Sequence, residues 1–175
     1  PHLLSSAASD VYKRQMERGK DFNIKTSSLD SMGIRRIEAG ILDYGTDMNR
    51  FNNPFEVGLG KFIDLSKGYF IGKDKLLTVS KKTKLFGIIC QNIIPFSGLK
   101  IFYKNKIVGQ TTVGAFSPYF SKGIGYALFN YNNNWIEKKL YIKDHENNLH
   151  DCQIVTLPFF DESKKIPKLV NANLS

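Results

Sequence analysis

Leu99-Lys-Ile-Phe-Tyr-Lys-Asn-Lys-Ile-Val-Gly-Gln-Thr-Thr-Val113 reads as two extended runs folded about a tight tip. Ile, Phe, Tyr, Val and Thr suit a pleated, half-buried surface. Lys104-Asn105 interrupts them, and Asn tolerates the positive φ that a two-residue hairpin demands. Four further runs of the same texture lie on either side: Leu85-Phe-Gly-Ile-Ile-Cys90, Gly123-Ile-Gly-Tyr-Ala-Leu-Phe129, Lys139-Leu-Tyr-Ile-Lys143 and His150-Asp-Cys-Gln-Ile-Val155. Turn residues such as Ser121-Lys122 and Glu146-Asn147-Asn148 separate them. Six short strands with no long helix between them imply a small antiparallel barrel or sandwich.

Upstream the texture is different. Ser27 or Ser28 can cap a helix, with Asp30 three residues after Ser27, and Leu29, Met32 and Ile37 fall roughly on one face before a stop at Gly40. Ile41 to Tyr44 is short and extended, Phe55 to Phe62 is extended or turn-rich, and Phe70-Ile71-Gly72 opens a short helix from Lys73 to about Ser80. The fold class is therefore α+β: residues 25–80 as the C-terminal end of a larger α+β domain, a boundary near Ser80 to Lys84, and residues 81–160 as a six-stranded antiparallel β-barrel. The upstream piece is too small to hold a core of its own, so the chain is expected to be a fragment. Residues 1–24 are set aside as a non-native or disordered leader, because Pro1 to Gln15 is small, polar and aperiodic. Residues 161–175 are expected to form a loose tail.

The net charge of +9 raises the question of nucleic acid, but it comes almost wholly from lysines scattered between Lys13 and Lys168. Nucleic-acid footprints cluster on one face and use arginine for bidentate contacts, so none is expected; a mild pull on an anionic substrate tail is all the charge implies. Cys90 and Cys152 form neither a CxxC nor a disulfide spacing, which points to a reducing, cytoplasmic setting. No apolar run reaches membrane-spanning length.

Self-contained catalytic motifs are missing. His145, His150 and Cys152 lack a repeated ligand spacing, so no metal site is expected. Gly58-Leu-Gly60 and Gly123-Ile-Gly125 lack the rest of a dinucleotide fingerprint. Asp43, Asp47, Glu56 and Asp64 read as solvated or turn-capping groups.

Glu38 is different, because it sits at a helix end, where the last carbonyls disfavour negative charge. Arg35 and Arg36 precede it, Gly40 offers a ligand close approach to backbone, and Tyr44 adds an aromatic with a polar tip. Two readings stand open: an ion pair with Arg35, Arg36 or Arg50, or two parallel hydrogen bonds to the guanidine-like edge of a ligand such as a pterin.

Arg36-Ile-Glu38-Ala-Gly40 with Tyr44-Gly45, then Pro54-Phe-Glu56-Val-Gly-Leu59, then Phe70-Ile-Gly72-Lys-Asp-Lys-Leu76 resembles the glycine-cleavage T-protein (aminomethyltransferase) superfamily. Lys84-Leu-Phe-Gly87, Thr111-Thr112 with Phe116-Ser117-Pro118, and Ile124-Gly125-Tyr-Ala127 continue the resemblance into the barrel. It covers roughly Ser27 to Phe160, and the six motifs run in the family's order. The resemblance implies a tetrahydrofolate-dependent transferase that moves a one-carbon or methyl group from a small amine or sulfonium donor, with a lipoyl carrier protein among its partners. It implies that Glu38 holds the pterin ring, with Arg36 and Tyr44 as orienting and wall residues. The family's aspartate near the reacting carbon would lie in an N-terminal part outside this chain, so the chain alone is expected to be inactive. Asn53-Pro-Phe-Glu56 and Leu157-Pro-Phe-Phe160 resemble the dimethylsulfoniopropionate demethylase and dimethylglycine or sarcosine dehydrogenase side, and Phe62 stands where many T-proteins have tryptophan. The folate-binding proteins of iron–sulfur cluster maintenance are disfavoured, because Tyr69 replaces their cysteine. The alternative is a non-catalytic folate-binding or interaction module.

Overall fold

A computed structural model of the chain describes residues 2–165; most of the tail expected at 161–175 lies outside them. The element order is α1 (His2–Arg18), α2 (Leu29–Glu38), α3 (Lys73–Thr78), then β1 (Leu85–Cys90), β2 (Lys100–Tyr103), β3 (Lys106–Ser117), β4 (Lys122–Phe129), β5 (Leu140–Lys143) and β6 (Leu149–Val155). Two compact units divide between Met32 and Gly33, so residues 33–80 pack as one unit with the strands. Among the described residues no helix is long and apolar enough to cross a membrane.

The stretch that reads as an aperiodic leader is helical. From His2 to Arg18 there is neither glycine nor proline, and Ala, Leu, Met, Gln, Lys, Arg and Glu all carry high helix propensity. Gly19 ends the helix, its N–H reaching the Gln15 carbonyl at 2.9 Å. Propensity carries α1 where an apolar stripe does not, which is why periodicity missed it.

The six strands close into a barrel in the order β1-β4-β3-β2-β5-β6, every pairing antiparallel. Lys104 and Asn105 both take positive φ at the β2–β3 tip, as a type I′ turn requires. Ile88, Ile101, Val108, Phe129, Leu140, Ile142 and Ile154 fill the barrel interior. Trp135, from the β4–β5 connection, is buried among them and stacks on Phe129 at 4.7 Å. The other faces of β1, β3 and β4 are covered as well: Leu85, Ile124 and Tyr126 pack with Ile37 and Val57, and with half-buried Leu42, Met48, Leu59, Leu157 and Phe159. Both faces of β4 are thus buried, which explains its near-continuous apolar run. Gly125 belongs to this packing, since a Cβ there would collide with the Val113 carbonyl oxygen.

One β-bulge decides which side chains reach the helical layer. Thr111 pairs with Ala127 and Val113 with Tyr126, leaving Thr112 as the extra residue. Thr111 Oγ1 serves the barrel, donating to the Phe96 carbonyl at 2.5 Å and accepting from the Leu99 N–H at 2.9 Å. After the extra residue, strand alternation restarts on the other phase, so Val113, Ala115 and Ser117 face the layer that carries α2.

Candidate functional site

Ser28 begins α2, accepting the Ser31 N–H on its hydroxyl at 3.1 Å. The C-terminus closes in a Schellman arrangement: Gly40, at φ +68°, donates to the Ile37 carbonyl at 3.0 Å, and Ile41 donates to the Arg36 carbonyl at 2.9 Å. Barrel and loop side chains converge on this helix end. The Tyr126 hydroxyl lies 3.0 Å from the Arg36 carbonyl and 3.1 Å from those of Ile37 and Ile41, and serves them with one proton. Burial, reinforced by the Asp47 charge and opposed by Arg36, holds that hydroxyl well above the ordinary tyrosine range, so it stays a donor.

Arg36 and Glu38 are two residues apart but have separate partners. Arg36 Nη1 makes a 2.7 Å ion pair with Asp47 Oδ2 and donates to the Ile41 carbonyl at 3.1 Å. Asp47, 1% exposed, also accepts the Asp43 N–H at 2.8 Å and the Thr112 hydroxyl at 2.8 Å. Glu38, 8% exposed, pairs with no arginine: its Oε1 accepts the Ser117 hydroxyl at 2.5 Å, and Ser117 in turn accepts the Phe120 N–H at 3.2 Å. Ser117 is fully buried. The Glu38 carbonyl accepts the Phe159 N–H at 3.3 Å, tying the Leu157-Pro-Phe-Phe160 segment to the helix end.

Several expectations change here. The ion pair weighed for Glu38 is absent, because Asp47 takes Arg36, while Arg50 lies over the Phe51 ring at 5.0 Å. Asp47 is not a solvated turn group but the most buried carboxylate of the segment, and the signal for it was a nearby arginine in need of a counter-charge. Glu56 also does structural work: Oε1 pairs with Lys84 at 2.6 Å and Oε2 accepts the Asn53 N–H at 3.2 Å. The Gly40 backbone is approached by the chain itself, since an added Cβ would lie 3.0 Å from Pro158 Cα. Tyr44 is 68% exposed in the turn that bridges to Met48, outside the hydrogen-bond group around Glu38. His150 Nε2 meets Asp144 Oδ2 at 2.8 Å rather than joining Cys152. Next to Glu38 in sequence, Ala39, Gly40, Ile41 and Leu42 line a groove of about 410 Å³ with Leu59 and Pro158.

The residues quoted as separate motifs are therefore partners in space. Arg36 is joined to Thr112 through Asp47, Glu38 to Ser117, the α2 carbonyls to Tyr126, and Glu56 to Lys84. A carboxylate so held, at the negative end of a helix and with one neutral donor, can accept N–H groups from a ligand.

Comparison with known proteins agrees with this assembly. Residues 2–67 match the model of the GCVT N-terminal domain, and residues 84–161 match that of the glycine cleavage T-protein C-terminal barrel domain. The aminomethyltransferase of Caldanaerobacter subterraneus subsp. tengcongensis is 38% identical over 131 residues, covering 73% of this chain and 35% of that protein. That of Pseudothermotoga lettingae is 31% identical over 164 residues, 89% of this chain and 43% of its own. The chain thus spans less than half the length of these curated relatives. The crystal structure of the glycine cleavage system aminomethyltransferase T from Bartonella henselae superposes with a TM-score of 0.74 at 19% identity, over 89% of this chain and 44% of that one, and shares the fold. With two consecutive family models matched and their motifs joined in three dimensions, the chain belongs to the glycine-cleavage T-protein superfamily.

Proposed function

We propose that this chain carries the pterin-anchoring part of a tetrahydrofolate-dependent one-carbon transferase, with Glu38 as the anchor. The observation that carries the reading is the state of Glu38: a buried carboxylate at a helix C-terminus that, among the described residues, has no paired cation and a single hydroxyl donor. Only one of the roughly four lone-pair sites of a carboxylate is thereby used. A pterin edge offers two N–H donors side by side, and charge-assisted pairs of that geometry are strong where water is excluded. Arg36, on α2 and anchored on Asp47, orients the helix end, and Tyr44, exposed in the turn that bridges to Met48, is assigned as a wall residue. Tetrahydrofolate supplies the nitrogen that accepts the one-carbon group.

Relatives at 31–38% identity are named aminomethyltransferases, which favours an aminomethyl donor presented on a lipoyl carrier protein. The motifs that resemble sulfonium demethylases make a sulfonium donor the competing choice, and product analysis with each donor separates them. Turnover requires the portion of those relatives that this chain does not span, so the chain alone binds folate without transferring a group; turnover by the purified chain would overturn that part.

Titration of the chain with tetrahydrofolate by calorimetry tests the site. Two charge-assisted hydrogen bonds predict that Glu38→Ala weakens binding by at least about tenfold. Unchanged affinity in that variant would remove Glu38 from the site. A folate-binding module with no enzymatic role would show the same loss, yet no transfer in any longer protein that contains the chain.

A further inference from the structure

Of the barrel side chains that meet the end of α2, Ser117, at the last position of β3, is the one bonded to the Glu38 carboxylate. The hydroxyl is fully buried and fixed from both sides: it receives the Phe120 N–H at 3.2 Å, so its own proton is directed to Glu38 Oε1 at 2.5 Å. Its place there depends on the bulge at Thr112. Without that extra residue Ser117 would share the phase of Thr111 and face the barrel interior. The same bulge lets Thr112 hold Asp47, which keeps Arg36 away from Glu38. β3 therefore both removes the cation and supplies the donor.

The choice of donor matters chemically. A lysine or arginine in this position would neutralise the carboxylate and compete with a ligand's N–H groups. A hydroxyl fixes one oxygen, leaves the charge, and leaves the second lone pair of Oε1 and both of Oε2 for the ligand. Resting on the folate reading above, we infer that Ser117 is the positioning residue for Glu38, setting the carboxylate in the orientation that accepts the paired N–H donors of the pterin ring.

The test measures tetrahydrofolate affinity of the full chain for wild type, Ser117→Ala, Ser117→Thr, Glu38→Gln and Ser117→Ala/Glu38→Gln, with Glu38 followed by its infrared carboxylate band in the wild-type minus Glu38→Gln difference spectrum. Loss of one charge-assisted hydrogen bond should weaken binding by roughly five- to twentyfold in Ser117→Ala. Ser117→Thr, which keeps the hydroxyl, should stay within about threefold of wild type, a small change on the free-energy scale. In the Glu38→Gln background Ser117→Ala should cost nothing further, and the carboxylate band should shift in Ser117→Ala. Wild-type affinity in Ser117→Ala, or an equal loss in both backgrounds, overturns the positioning role; the second outcome is what a purely structural serine gives. An unshifted band overturns it whether or not folate binds. Absence of binding by the wild-type chain refutes the folate reading itself, a different result from binding that ignores Ser117.

Discussion

Replacing Asp47 with alanine removes a fully buried carboxylate that joins three parts of the chain. Its oxygens accept the Arg36 guanidinium at 2.7 Å, the Asp43 N–H at 2.8 Å and the Thr112 hydroxyl at 2.8 Å. Breaking a fully buried pair costs about 3–5 kcal/mol, because the surviving charge is stranded. Here the survivor is Arg36, whose side chain is 25% exposed and still bonds the Ile41 carbonyl, so the ion-pair share falls to about 2 kcal/mol. Two backbone or hydroxyl donors lose a charged acceptor, adding about 1 kcal/mol after partial rehydration. The expected loss is about 3 kcal/mol, or roughly 6–12 °C in Tm for a chain of this size. Unfolding can be followed by the fluorescence of Trp135, the single tryptophan, which is buried in the barrel, and by far-UV circular dichroism. The converse change, Arg36→Leu, should cost more, since it strands the carboxylate that is 0% exposed rather than the guanidinium that is not. Asp43→Ala, at an exposed side chain bonded only to Thr46, is the control and should stay within about 0.5 kcal/mol. An Asp47→Ala loss below about 1 kcal/mol, indistinguishable from that control, would refute the claim that this carboxylate clamps α2 to β3.

Gly40→Ala should destabilise the fold by about 2–3 kcal/mol, combining a left-handed φ of +68° with a Cβ 3.0 Å from Pro158 Cα; a neutral result in urea denaturation would show that the helix end can rearrange. The Lys84 hydrogen bond holds the Glu56 carboxyl below its usual 4.5. A depressed carboxylate stabilises the fold fully above that ordinary value and loses the contribution as pH falls through its folded one, so Glu56→Gln should flatten the acid limb of the stability curve below about pH 4.5. The His150 hydrogen bond keeps Asp144 ionised down to about 2, and carboxyl NMR titration of His150→Ala should return Asp144 toward 3.8; an unmoved titration would disprove the pairing. Burial pushes the Cys90 thiol up to about 12, so maleimide at pH 8 should label it only with the rate of unfolding, and rapid labelling of the native chain would contradict the barrel interior.

The barrel was legible because each strand combines β-branched and aromatic residues with turn residues at its ends, and those signals are local. Lys104-Asn105 showed its hairpin in two letters. β3 was read as ending at Val113 but continues to Ser117, because the Thr112 bulge breaks simple alternation in the middle of the run. α1 escaped because nothing periodic marks a helix whose described side chains are largely exposed. At the site, Glu38 was visible as a charge in an unfavourable place. Its partner was not, since Ser117 lies 79 residues further on and a serine before a proline has many commoner uses. The buried state of Asp47 was equally hidden: burial is decided by Thr112 and Arg36, which the sequence places on either side of it but does not bring together.

The helix end explains why all these partners are needed at once. A carboxylate in the last turn of α2 adds negative charge where the free carbonyls already concentrate it. The usual remedy is a cation, and Arg36 stands two residues away. Pairing it with Glu38 would neutralise that carboxylate. Instead the protein lowers the local negative potential by other means: the Schellman bonds from Gly40 and Ile41 engage the Ile37 and Arg36 carbonyls, the Tyr126 hydroxyl adds a donor to the same carbonyls, and Phe159 covers that of Glu38. Arg36 is diverted to a buried aspartate whose second oxygen is held from the barrel. What remains is a carboxylate with its carbonyl neighbours satisfied, one oxygen fixed by a neutral hydroxyl, and no cation paired with it among the described residues. On the proposed folate reading, a ligand that brings its own N–H donors completes this arrangement.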